Sequence, residues 1–576
     1  MAGEVLYRQG DPGEQMHVVL SGRLQVRVTS SEGEEVIVAH PQPGEIVGEM
    51  AVFSGSARAA TICAVRDTSL GTIDRKEIEM LAARFPRVFS NVTRMIIRRL
   101  TGSTGHIARR TGIRSIMLIP LHRGGVTEGF CTELRTALLR FGSVLHLDAQ
   151  AASRRFGIEH AHWQDCGRQL DACEEEHDYL LLEADPQPSP WNRICLAHAD
   201  KILLIADAAA GPGLTAPEQQ LLSDAPQTTD NRTADLILVH SAHALPDGTR
   251  HWLARRRIGR HHHVRHGCAS DIARIARIIS GHAVSLVLAG GGARGFAHLG
   301  VIRALGEAGI AIDAVGGASF GALAATGIAR GLSDAESLEE QRRAFTLEDP
   351  LGDYTLPVMS LVRGEHLDRV LQQHLPMDIE DLWLPFFAVS SNLTTSQVNV
   401  HEAGPLWRGI RASVSLPAIL PPSLQNGHLL IDGGVLNNLP VDVMRERIRG
   451  PVIAVDLAVG RGDYAEHRSI PSVMDYLKSR LVPGRQVVEA PTVSRVIMQI
   501  TTMASRREAG NARKLADLYL NPPLGSHDFL DWSSMRQIAD IGYRHALPRI
   551  REWLRQHPQL KDRAGCIRAL QHRMPA

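Results

Sequence analysis

The sequence predicts a multidomain chain: an N-terminal β-roll with helices, then an α/β connector domain, then an α/β candidate catalytic domain. Three observations carry this. A length of 576 residues exceeds one hydrophobic core and suits three or four domains of about 150 residues. The apolar pattern changes along the chain, from short alternating strands between Gly- and Pro-rich turns to buried-type strands alternating with helical stretches. The stretch Ser285–Gly321 reads strand, glycine run, helix, strand and sharp turn, a βαβα unit of a parallel sheet. The expected domains are residues 1–112, 113–280 and 281–455, with 456–576 as a C-terminal extension completing the last.

Composition narrows the function classes. A hydrophobic content of 44% supports sizeable cores, and a net charge of +1 gives no global attraction to nucleic acid or membranes. Seven scattered cysteines without a CxxC pair fit a reducing compartment. No leader and no apolar run of about 18 residues is present, so the expectation is a cytoplasmic protein. Peripheral contact at the inner face of the membrane stays open.

From Val5 to Thr72, turn signals such as Gln9–Gly13, Ser21-Gly22 and Pro41–Gly44 separate short strands, as in a small β-barrel or roll. Asp74 is placed to cap one helix, and a second is expected from Pro86 to about Leu100. The segment Gly44–Met50, followed by Gly55–Thr61, resembles the phosphate-binding cassette of cyclic nucleotide-binding domains. That resemblance implies a ribose hydroxyl on Glu49, after Gly48, and a cyclic phosphate on Arg58, beside Ala59, Ala60 and Thr61. Arg58 is followed by Ala59 rather than by the Thr that marks cGMP preference, so cAMP is favoured over cGMP. Strand, helix and strand follow Ile113 where a DNA reader would need a helix-turn-helix. Arg94, Arg98 and Arg99 are therefore read as a solvated helix face, with no nucleic-acid partner.

In the connector, Ser115–Pro120, Val144–Leu147, Tyr179–Glu183, Lys201–Ala206 and Leu236–His240 read as strands and Phe130–Phe141 as a helix. The loop Leu121–Thr127 sits where a phosphate-binding loop would, but it lacks GxxxxGK[ST] and any lysine, so nucleotide hydrolysis is not expected. His261, His262, His263 and His266 lack carboxylate or Cys spacing for a metal and are read as strand or loop residues; no metal site is expected. Arg255–Arg257 reads as a solvated face and Ala273–Ser280 as a helical linker.

The candidate catalytic domain opens with the strand Ser285–Ala289 and the run Gly290, Gly291, Gly292, Ala293, Arg294, Gly295. A helix with Leu299, Ile302, Leu305 and Ile310 on one face follows, then a strand over Ala311–Val315. Gly317-Ala318-Ser319-Phe320-Gly321 is a GxSxG turn, which lifts a serine hydroxyl to the sheet edge between glycines that avoid a clash. The glycine run frees backbone N–H groups suited to a phosphate or a developing oxyanion. Farther on, Leu429–Asp432 is an apolar strand ending in Asp at its carboxyl edge, and Gly433 and Gly434 let the chain turn away. There Asp432 can act as general base to Ser319. Arg411–Pro422 is read as pocket wall, Val452–Leu457 as a core strand ended by Asp456, the region from Pro471 as helical, Ala516–Leu520 as one more strand, and Ile541–Tyr543 as the opening of a helix towards Trp553.

Gly290–Gly295, Gly317–Gly321 and Asp432–Gly434, in that order, resemble the patatin-like phospholipases. Trp383–Ala388, Arg411–Pro417, Leu420–Pro422 and Asn437–Pro440 resemble the neuropathy target esterase branch, which joins cyclic nucleotide-binding domains to a patatin domain. The resemblance implies a Ser319–Asp432 dyad, an oxyanion hole from the Gly290–Gly295 loop (chiefly Gly291 and Gly292), and no catalytic cofactor. It implies hydrolysis of acyl esters of phospholipid or lysophospholipid, regulated by a cyclic nucleotide. The alternatives are a cyclic-nucleotide-responsive scaffold with a vestigial hydrolase site, and a triad using His467, His527 or His545.

Overall fold

The computed structural model describes residues 3–561 apart from 30–34, 66–67, 85–112, 158–165, 220–233, 345–347, 459–509 and the single positions 40, 42, 123, 217, 357, 526 and 530. The helix expected from Pro86 to Leu100, with its arginines, residues 471–509 of the region from Pro471 and most of the charged C-terminus lie outside the described residues. The chain forms two compact units, Met1–Leu245 with His251–Ser280, and Pro246–Arg250 with Gly281–Ala576.

The first unit begins with the expected roll. Seven short strands, β1 (Val5–Tyr7), β2 (Gln15–Ser21), β3 (Leu24–Thr29), β4 (Glu35–Ala39), β5 (Ile46–Val47), β6 (Thr61–Ala64) and β7 (Ser69–Asp74), form two antiparallel sheets ordered β1-β6-β3-β4 and β5-β2-β7. Val19, Leu24, Val47 and Ile62 fill the small core. Asp74 caps the helix Arg75–Arg84: the Glu77 N–H donates to its carboxylate at 2.8 Å, and Glu77 accepts the Asp74 N–H at 3.0 Å.

The connector is a six-stranded, wholly parallel sheet. Its strands β8 (Ser115–Pro120), β9 (Val144–Leu147), β10 (Tyr179–Glu183), β11 (Lys201–Asp207), β12 (Ala234–His240) and β13 (Ile258–Arg265) run in the order β13-β12-β11-β8-β10-β9. Both faces are buried, which is why β8, β10, β11 and β12 are nearly unbroken apolar runs. The helix expected as a linker at Ala273 spans Ala269–Ser280 and is part of this core: Ile272, Ile275 and Ile279 pack with Leu134 and Leu138. Arg256 also corrects the reading of a solvated face. Arg255 and Arg257 are exposed, but Arg256 is buried on Glu218, with Nε 2.7 Å from Oε1 and Nη2 3.0 Å from Oε2. The histidines do lie on a strand and the turn after it; His263 pairs with His240 at 2.9 Å, and His266 with the Val126 carbonyl.

The second unit is built on β14 (Ser285–Leu288), flanked by β15 (Ala314–Ala318) and by β20 (Val452–Val455); β16 (Phe386–Asn392) extends the parallel sheet beyond β15, and β21 (Leu518–Leu520) extends it beyond β20. The second strand starts at Ala314, not Ala311. Gly316, and Gly317 at the start of the expected turn, lie inside it, where Phe387 and the Leu288 carbonyl press on the space side chains would fill. The helix Met535–Gln556 begins before the expected Ile541 and crosses the helix Phe296–Ala308 at two glycines. A Cβ on Gly300 would meet the Ala539 carbonyl, and one on Gly542 the Ala297 carbonyl. Asp456 ends its strand structurally, accepting the Tyr519 hydroxyl at 2.5 Å.

Two further strands, β17 (Gln397–His401) and β19 (His428–Asp432), pair antiparallel with β16, and the short β18 (Ser423–Gln425) pairs with β19. β17 lines one edge of β16 from Ala388 to Asn392. On the other edge β15 pairs as far as Val389, and β19 takes over from Ser390 to Asn392. Since a strand has two edges, β15 and β19 lie end to end and run towards each other. The residues where they meet are Ser319 and Asp432.

Candidate active site

Ser319 occupies a backbone conformation that only its surroundings enforce, with φ 52° and ψ −129°. The turn is feasible because its flanks lack side chains: a Cβ at Gly317 would strike the Leu288 carbonyl, and one at Gly321 the carbonyls of Leu288 and Ala289. Directly after Ser319 the helix Phe320–Ala329 begins. The Ser319 N–H donates to Ser413 Oγ at 2.8 Å, and Ser413 Oγ donates to the Val389 carbonyl at 2.6 Å. Ser413 thus ties the turn to β16, a role the sequence did not reveal.

Asp432 Oδ2 accepts the Ser319 hydroxyl at 2.6 Å, and Oδ1 accepts the Gly434 N–H at 2.7 Å. Burial pushes its carboxyl up from 3.8 to about 6, against the opposing effect of those two hydrogen bonds. As expected, Asp432 ends an apolar strand at its carboxyl end. Its strand is antiparallel, so Asp432 arrives from the opposite direction. Among the described residues no histidine ring hydrogen-bonds to either group; His527 instead faces Asp531 at 3.4 Å.

The glycine loop divides into braced and open donors. The Gly290 N–H is held by Asn438 Oδ1 at 3.1 Å, and Asn438 Nδ2 donates back to the Gly290 carbonyl at 3.2 Å. The Ala293 N–H donates to the Phe529 carbonyl at 2.8 Å, and Arg294 Nε to the His527 carbonyl at 2.8 Å. Gly295 packs under the Phe320 ring. The N–H groups of Gly290 and Ala293 thus anchor the loop. The N–H groups of Gly291 and Gly292 find no protein acceptor among the described residues, and Gly292, at φ +55°, lines the cavity that holds Ser319. Beneath the loop, His298 Nε2 donates to the Ala289 carbonyl at 2.7 Å. Complete burial lowers its pKa to about 4, so the ring is neutral. Its signal in the sequence, a lone histidine on an apolar helix, resembled any satisfied core residue.

Ser319 and Asp432 sit in a cavity of about 60 Å³ walled by Leu323, Leu367, Ile410, Val414, Ile419 and Trp532. Three of these come from the Arg411–Pro422 stretch or its immediate neighbour, as expected. Arg411 itself turns away, to Asp368 and Ser415, each at 2.5 Å.

In the roll, Gly48 caps the short helix Glu49–Ser54 at φ 82°, and Glu49 is buried. Arg58 is buried too: Nη1 donates to the Gly48 carbonyl at 3.0 Å and Nη2 to the Gln15 carbonyl at 2.8 Å, with the guanidinium 4.0 Å above the Tyr7 ring. No carboxylate pairs with it among the described residues, and its Nε has no acceptor. A buried cation without a counter-charge fits a phosphate ligand. Ala59 is exposed and Ala60 partly so, whereas Thr61 Oγ1 is occupied by the Gln9 N–H at 2.9 Å. The cluster with metal-ligating spacing among the described residues is Asp171, Glu174 and His198, in the connector. There the two ring nitrogens of His198 face different carboxylates, 3.1 Å from Glu174 and 3.8 Å from Asp171, so the ring already fills the space between them.

Comparison with known proteins defines the class. Three family models match successive parts of the chain: the cyclic nucleotide-binding domain at residues 1–85, the neuropathy target esterase family P-loop like domain at 112–277, and the patatin-like phospholipase at 286–445. The chain therefore resembles the neuropathy target esterase branch in both its domains and their order. Among curated relatives it is similar to patatin-like phospholipase domain-containing protein 7 of Rattus norvegicus, 30% identical over 98% of this chain and 46% of the relative. It is also similar to patatin-like phospholipase domain-containing protein 6 of Homo sapiens, 28% identical over 96% of this chain and 44% of the relative. Lysophospholipase nte1 of Aspergillus fumigatus is 29% identical over 94% and 41%. The chain spans less than half the length of these relatives.

Proposed function

We propose that this protein is a serine acyl hydrolase that cleaves fatty acyl esters of phospholipid or lysophospholipid with a Ser319–Asp432 dyad. The observation that carries this is the 2.6 Å hydrogen bond from Ser319 to Asp432 in an apolar cavity bordered by the Gly292 turn. Asp432 accepts the hydroxyl proton as Ser319 Oγ attacks the ester carbonyl. The N–H groups of Gly291 and Gly292 stabilise the oxyanion. The leaving alcohol takes the proton from Asp432, and an acyl-enzyme remains. Water, deprotonated by Asp432, then releases the fatty acid and restores Ser319. The apolar walls suit an acyl chain, and the relatives' names support lipid substrates.

Purified protein should release fatty acid from lysophosphatidylcholine and be labelled by a fluorophosphonate. Ser319→Ala should abolish both, with a rate loss on the order of 10⁴ or more. Retained turnover in Ser319→Ala would sink the mechanism, and an unlabelled native protein would favour the scaffold.

Regulation by a cyclic nucleotide, cAMP before cGMP, is the second part of the reading and rests on Arg58 and Glu49. When bound, the nucleotide would supply the phosphate charge that Arg58 lacks. Calorimetry should detect cAMP binding that Arg58→Ala removes; a blank titration of the unaltered protein would leave the roll as a structural module.

A further inference from the structure

A second apolar surface adjoins the cavity. Between Tyr354 and Leu361 the sequence Tyr-Thr-Leu-Pro-Val-Met-Ser-Leu carries no charge. The segment is a small hairpin: Tyr354 bridges Val362, and the Thr355 N–H donates to the Leu361 carbonyl at 3.0 Å. Burial would be the usual fate of such residues, yet Leu356, Val358 and Met359 are 81%, 87% and 78% exposed. Tyr354 is exposed beside them. Apolar side chains concentrated on one loop mark a surface that meets something else.

What it meets follows from where the hairpin is fastened. Its return limb bonds to the wall of the cavity: the Leu361 N–H donates to the Ala418 carbonyl at 2.9 Å, and the Val362 N–H to the Ile419 carbonyl at 3.1 Å. Ile419 and Leu420 line the cavity that holds Ser319, and so does Leu351, just before the hairpin. The exposed tip and the buried wall are therefore continuous through backbone hydrogen bonds. An acyl chain leaving a bilayer at the tip would pass from lipid to apolar protein.

We propose that the Tyr354–Leu361 hairpin is a lipid-surface docking element, which inserts Leu356, Val358 and Met359 among acyl chains and sets the cavity mouth against the bilayer. This deepens the hydrolase reading and rests on it. Membrane affinity of such an element scales with the apolar area it buries. The test uses the full chain carrying Ser319→Ala, so that vesicles stay intact, in flotation with equimolar phosphatidylcholine–phosphatidylglycerol vesicles. Adding Val358→Glu and Met359→Glu should lower the partition coefficient about tenfold or more. In the otherwise unaltered enzyme the same pair should leave turnover of a soluble ester, p-nitrophenyl butyrate, within about twofold. Unchanged flotation would overturn the proposal, whether or not the tip then proves to join two copies of the chain. Loss of soluble-ester turnover would overturn it too, by making the tip part of the cavity. If the unaltered enzyme cleaves no ester while flotation depends on the tip, the hydrolase reading fails and the docking surface stands.

Discussion

The chain contains two parallel sheets in which a glycine-bearing loop follows a buried strand, and the two loops differ in what surrounds them. In the second unit Gly290–Gly295 is pinned by Asn438, by the Phe529 carbonyl and, through Arg294, by the His527 carbonyl. That leaves two amides without a protein acceptor among the described residues, with Gly292 at the wall of a small apolar cavity. In the connector, Thr127 Oγ1 lies 3.1 Å from both the His122 and Gly124 carbonyls and shares its one proton between them, closing the loop on itself. The cleft beside it is large, about 780 Å³, and carries Glu128, Asp148, Glu183 and Asp185 with Arg154. Carboxylates would repel a phosphate, and Glu183 is already paired with His146 at 2.8 Å. A glycine turn exposes backbone donors; the neighbours decide whether a reaction can use them.

The difference can be broken at three depths. Asp432→Asn removes the base and should lower turnover on the order of 10³–10⁴ while the fold, read by circular dichroism, persists. Under the proposed dyad the rate in the unaltered protein requires the carboxylate form. With Asp432 raised to about 6, kcat/KM should hold above that pH and fall about tenfold per unit below it. A flat profile down to pH 5 would show that another group takes the proton. Gly292→Ala places a methyl against the Phe529 carbonyl at positive φ. It should shift one oxyanion donor and lower turnover about 10²–10³-fold with little change in KM. In the connector, Thr127→Val removes the hydroxyl shared by the His122 and Gly124 carbonyls and should cost about 1 kcal/mol of stability in denaturant unfolding. Ester turnover should not change; a large loss of activity there would mean that the connector loop serves the reaction after all.

Much of this was legible because the signals are local. The GxSxG turn, the glycine run and an apolar strand ending in Asp432 are each written within a few residues. Long-range pairing is not. Nothing in Leu429–Asp432 tells that β19 runs against β16, or that Gly316 and Gly317 belong inside a strand, since both are decided by Phe387, Leu288 and Ser390 from other elements. Asn438 and Ser413 escaped for the same reason: each acts on a backbone group far away in sequence. Arg256 failed in the opposite sense. Its neighbours are exposed, and only Glu218 distinguishes it.

The end-to-end meeting of β15 and β19 makes β16 a ruler. The same edge of one strand measures out the position of Ala318 opposite Val389 and of Asp432 opposite Ser390. The loops that join β15, β16 and β19 can lengthen without altering the distance between Ser319 and Asp432, provided both registers are kept. A slip of a single residue in either ladder would move one group by about 3.3 Å and turn its side chain to the other face. The spacing on which the chemistry depends is therefore stored in backbone pairing, where side-chain drift cannot easily erase it.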